Sequence, residues 1–108
     1  MSTISERYNQ AEKLKDSGDV QQAKDLLLAI LEEAPDHVLS HLTLARIFTG
    51  LNEHELAVSH AEQACTLEPT ESFNYTLLSV TYQRAYAGTG DHKYIRMAED
   101  AMARSRML

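Results

Sequence analysis

The sequence contains no tryptophan, one cysteine, two prolines and four glycines among its 108 residues. A lone cysteine, Cys65, permits no internal disulfide, which excludes a small disulfide-stapled fold and fits a reducing compartment. So few prolines and glycines leave little room for linkers, and the chain reads as one domain, 1–108. Long apolar runs are also missing. The longest, Leu26 to Leu31, is far short of a membrane span, and the polar start Met1-Ser-Thr-Ile-Ser-Glu-Arg has no signal-peptide core. A cytoplasmic setting without a membrane partner is the expectation.

Positive charge is scarce over most of the chain. The net charge is −6, and the acidic excess lies before residue 72. The basic end, with Lys93, Arg96, Arg104 and Arg106, is broken by Glu99 and Asp100 and lacks interleaved aromatics. That arrangement makes no phosphate track, so nucleic acid is not expected as a partner.

Chemistry-bearing constellations are equally sparse. Of the five histidines, His37 and His41 stand four apart, but two ligands do not make a zinc site, and Cys65 has no second cysteine to support it. His41 is expected to pack, while His54 and His60 read as solvated positions of their helix. Gly88-Thr-Gly90 lacks the lysine and the preceding strand of a phosphate loop. Cys65, in a helical pattern beside Leu67, is expected to be buried and unreactive. Neither catalysis, a cofactor, a metal nor a small-molecule substrate is expected.

What the sequence does contain is a period. Between Val38 and Glu71 run Leu44-Ala45-x-x-Phe48, then Ala57-x-x-x-Ala61-x-x-Ala64, then Pro69. Shifted back by 34 residues, Ala45 falls on Ala11, Phe48 on Leu14, Ala57 on Ala23 and Pro69 on Pro35. Shifted forward by 34, Leu44 falls on Leu78, Ala45 on Ser79 and Phe48 on Tyr82; thereafter the offset is 37, and Ala57, Ala61 and Ala64 meet Tyr94, Ala98 and Ala101. The third unit therefore carries three inserted residues, assigned to the turn around Gly88–Asp91, with a longer preceding helix as the alternative.

A 34-residue unit with small, large, small and proline positions in that order resembles the tetratricopeptide repeat. The resemblance implies an all-α, right-handed solenoid of three helix-turn-helix units, 4–37, 38–71 and 72–108, built from six antiparallel helices. Helical spacing of apolar residues places them at about 5–17, 20–34, 37–50, 53–67, 71–87 and 91–106. Expected punctuation includes hydroxyls before Ser5, Gly18 in a left-handed turn, Asp19 and Asp36 as caps, and prolines ending the second and fourth helices. Leu56, Ala57, Ala61 and Ala64 are expected on the packed face of the fourth.

The same resemblance implies that the first helix of each unit lines a concave partner groove. The matching positions are Ser5, Tyr8, Asn9, Glu12 and Asp16; Leu39, Leu42, Thr43 and Arg46; and Phe73, Thr76, Leu77, Val80 and Arg84. Some relatives clamp a peptide carboxylate with cations and asparagines, but the corresponding places here hold Tyr8, Glu12, Thr43, Phe73 and Leu77. The groove instead suits an extended or helical peptide with apolar anchors. No capping helix follows Leu108, so Ile95, Met102, Met107 and Leu108, with Met97 at the edge, are expected to form a second partner face. The function expected is protein–protein interaction. The alternative is a self-assembling subunit, a homodimer through the last helix with no dedicated groove ligand.

Overall fold

The computed structural model describes residues 2–108 as six α-helices in three hairpins: α1 (Ile4–Asp16) with α2 (Val20–Glu33), α3 (Val38–Gly50) with α4 (His54–Leu67), and α5 (Ser72–Thr89) with α6 (Lys93–Met107). Helices begin at positions 4, 38 and 72 in the first members of the hairpins, so the 34-residue period is realised as structure.

Local chemistry sets the boundaries. Thr3 caps α1 through a reciprocal box, its hydroxyl accepting from the Glu6 amide while the Glu6 carboxylate accepts from the Thr3 amide. Gly18 (φ 96°) and Asn52 (φ 59°), equivalent by the period, both take the left-handed conformation that reverses the chain. The aspartates perform otherwise than expected. Asp19 occupies the cap position of α2 without a side-chain hydrogen bond, and α3 starts after His37 rather than Asp36. Glu71 caps α5 by accepting from the Phe73 amide.

The extra residues of the third unit lengthen α5, which has 18 residues against 13 in α1 and α3. Gly88 and Thr89 are thus helical rather than part of the turn, and Gly90 (φ 71°) ends the helix. Gly88 lies against a neighbour, since a Cβ there would stand 2.1 Å from Nε2 of His54 and the ring would have to shift. His54 is buried at 9% exposure, and neither ring nitrogen has a hydrogen-bond partner. The expectation of a solvated His54 is therefore corrected: the extension of α5 covers it.

Two apolar clusters hold the hairpins together. One joins the first two through Ala11, Ala23, Leu27, Ile30, Leu44, Ile47, Phe48 and Ala57. The other joins the last two through Ala45, Val58, Ala61, Cys65, Leu78, Tyr82, Ala85 and residues of α6. In each, a helix of one hairpin lies in the seat between the two helices of the preceding one. Leu56 is exposed, not packed as expected, because its neighbours Ala57 and Val58 take the inward positions of α4. Among the described residues no helix is long and apolar enough to cross a membrane.

Candidate functional site

Helical spacing gathers the predicted groove residues into stripes along α1, α3 and α5, but the structure sorts them into three groups. The first forms a polar knot. Tyr8 Oη lies 3.0 Å from Glu12 Oε1 and 2.8 Å from Thr43 Oγ1, and the Thr43 hydroxyl lies 2.9 Å from the same carboxylate oxygen. Burial alone would raise the Glu12 carboxyl, but hydrogen bonds from Thr43 and Tyr8, with Lys15 and Arg46 nearby, carry it below the usual carboxylate range. Burial raises the Tyr8 phenol, reinforced by Glu12. Glu12 is thus engaged within the fold, and Thr43, almost fully buried, offers nothing to a partner.

The second group packs inside. Leu42 is buried. Thr76 turns towards α6, where its hydroxyl meets Ser105 Oγ at 2.6 Å. Leu77 is half-buried. The third group faces outward: Leu39 is 51% exposed, Phe73 50% and Val80 40%. The exposed Arg46 lies over the Phe73 ring with its guanidinium carbon 5.8 Å from the centroid, bridging α3 to α5. Arg84 and Asn9 are exposed as well. Phe73, Leu77, Val80 and Arg84 recur at intervals of four, three and four, so they share one face of α5.

The other predicted face also divides. Ile95 and Met102 line a groove of about 810 Å³ between α5 and α6, together with Ser79, Ala98, Glu99 and Tyr94. Met107 (79% exposed) and Leu108 lie outside it. Met97 packs inward beside the second apolar cluster.

Several polar residues in the interior were not foreseen. His41 and His60 face each other, Nδ1 to Nδ1, at 2.9 Å, and His41 Nε2 lies 2.9 Å from the Pro35 carbonyl. Because the carbonyl can only accept, His41 donates to it from Nε2, and a single proton is shared between the two facing Nδ1 atoms. His60 also stacks on Phe48; burial, then His41, lowers its pKa to about 4. It is a packed neutral ring, not the solvated residue expected, and His41 ties α3 to α4 and to the preceding turn. Asn74, buried, donates to the Ala64 carbonyl at the end of α4. Only its position beside Glu71 at a helix start hinted at such a role. Cys65 is buried, and burial with Glu62 pushes its thiol up to about 11, so it is protonated near neutrality. Among the described residues no cluster of three metal-ligating side chains occurs.

No protein-family model and no curated protein matches this chain. Solved structures do. MamA from residue 41 to its end, from Desulfovibrio magneticus RS-1, superposes with a TM-score of 0.76 at 20% identity, over 95% of this chain and 54% of that one. A double mutant of MamA RS-1 gives 0.75 at 20% identity over 94% and 53%, and another MamA crystal structure gives 0.74 at 15% over 97% and 57%. The chain spans about half the length of these structures. At such identities the likeness concerns architecture: the three hairpins form an all-α stack of the tetratricopeptide type, without strands among the described residues.

Proposed function

We propose that this chain is a protein-interaction module that binds a segment of another protein across the outward face of α3 and α5. The observation that carries the reading is the exposed apolar row of Leu39, Phe73 and Val80, flanked by Arg46 and Arg84. Apolar side chains exposed on two neighbouring helices are the anchors an apolar-spaced peptide needs, and the two arginines favour acidic residues beside those anchors. Glu12, held by Tyr8 and Thr43, bounds the row on the α1 side with negative charge, which disfavours a segment ending in a free carboxylate there. The fold shared with MamA is compatible with a scaffold role and names no partner.

Selection from a displayed peptide library against the immobilised chain tests this. Enriched peptides should carry two or more apolar residues with neighbouring acids, and Leu39→Asp with Phe73→Asp should abolish their binding while leaving the helical signal and melting temperature in place, since both side chains are exposed. Failure to enrich any sequence, or retention of binding by the double variant, would remove this face from consideration.

A further inference from the structure

The 34- and 37-residue offsets relate the seat in each hairpin to the others position by position. In the second hairpin the seat consists of Ala45, Val58, Ala61 and Cys65, and α5 lies in it through Leu78 and Tyr82. The equivalent positions of the third hairpin are Ser79, Ile95, Ala98 and Met102, and all four line the groove of about 810 Å³ between α5 and α6. The third seat therefore presents, at equivalent positions, small and apolar side chains like those of one that is filled within the same molecule.

One polar pair makes the correspondence selective. In the filled seat, Tyr82 Oη of the incoming helix donates to Glu62 at 2.5 Å. In the first hairpin the position of Glu62 is occupied by Leu28, and the incoming helix there carries Phe48, without a hydroxyl, at the position of Tyr82. Glutamate accompanies tyrosine, and leucine accompanies phenylalanine. In the third hairpin the position holds Glu99, which is exposed at the groove.

We infer that the α5–α6 groove is a docking seat for an amphipathic helix of another protein bearing leucine and, four residues later, tyrosine, whose hydroxyl donates to Glu99. The inference rests on the reading of the chain as an interaction module and adds a second surface with its own specificity. Continuity with the internal stacking identifies the occupant as a helix: leucine meets the small Ala98 as Leu78 shares one apolar cluster with Ala61, and an exposed Ile95 and a half-buried Met102 supply its apolar walls. A second copy of this chain meets the requirement less well, because its only helix with this outline is α5, whose Leu78 and Tyr82 are already buried.

A labelled synthetic peptide with the sequence of residues 71–89, titrated against the full chain by fluorescence anisotropy, is the probe. Saturable one-to-one binding is expected, weakened more than tenfold by Ile95→Glu. Phenylalanine in place of the peptide's tyrosine equivalent to Tyr82 should weaken it about tenfold by losing a hydrogen bond to a charged group. Glu99→Leu should weaken the tyrosine peptide similarly and reverse the preference, so that the phenylalanine peptide binds the variant better, a coupling that only direct contact gives. Ile95 and Glu99 are exposed, so melting curves should be unchanged in both variants. Absence of saturable binding, binding that survives Ile95→Glu, or an unaltered preference with Glu99→Leu would each overturn the inference. So would self-association that Ile95→Glu abolishes and the peptide cannot displace, which would assign the seat to a second copy. The Leu39→Asp and Phe73→Asp double variant should bind this peptide normally, so the two surfaces can fail independently.

Discussion

The seat between the first and second hairpins and the seat between the second and third are built to one plan and filled by opposite means. In the first, Leu27 occupies the position that Ala61 holds in the second, and the incoming helix brings Ile47 and Phe48 where the next brings Thr81 and Tyr82. Large side chains on both sides fill the volume and hold the helices apart. Alanines let α5 lie close against α4, and that pair packs more extensively than α2 with α3. Close approach in turn brings Tyr82 onto Glu62 and leaves less room for aliphatic bulk. The same repeat thus reaches stability through apolar volume at one junction and through proximity with a polar contact at the next.

Exchanging the deciding residue between the seats tests that contrast most strongly. Leu27→Ala should open a cavity in the first junction, since Leu27 is fully buried, and lower stability by about 3 kcal/mol in urea unfolding. The reverse change, Ala61→Leu, overfills the second junction and should cost about 2 kcal/mol, with an added loss of contact between α4 and α5 visible as faster amide exchange in α5. A neutral outcome for Ala61→Leu would mean that the second junction holds unused space and that proximity is not what stabilises it.

The smallest expected effect concerns pH, and it belongs to the hairpin the two junctions share. His60, stacked on Phe48 and bonded to His41, is held neutral with a pKa of about 4, below the ordinary value of 6.5. The unfolded chain therefore takes up this proton first. Stability should fall as pH drops from about 6.5 towards 4, by on the order of 1 kcal/mol once solvent screening of a half-buried ring is allowed for. Thermal melts of the protein and of His60→Gln across that range should differ in slope, the variant being flatter. Equal slopes would show that the carboxylates alone govern the acid limb.

The period, the six helices and the alanine, leucine and aromatic core positions were legible because each depends on spacing along one strand of chain. The same register marks Tyr8, Phe73 and Val80 as groove candidates, and of these the structure leaves Phe73 and Val80 exposed. Which of the register-matched residues reach solvent could not be read. Leu39 and Leu42 stand three apart on one helix, yet one is half-exposed and the other buried, because the neighbouring helices cover unequal parts of that face. His54, His60 and Asn74 look like surface residues by type, and each is enclosed by an element from elsewhere in the chain: His54 by the extended end of α5, His60 by Phe48 and His41, Asn74 by the end of α4.

By itself the sequence determined how many helices form, roughly where they lie and which residues recur in equivalent places, since capping, left-handed turns and 3.6-residue periodicity act over a few neighbouring residues. The tertiary structure decided which equivalent residues are spent inside the fold and which stay exposed. Thr43 and Glu12 satisfy one another across α1 and α3, whereas Phe73 and Glu99 stay open. The physical reason is that burial and hydrogen bonding depend on helices arriving from distant parts of the chain at distances set by the side chains between them, and no local pattern encodes those distances.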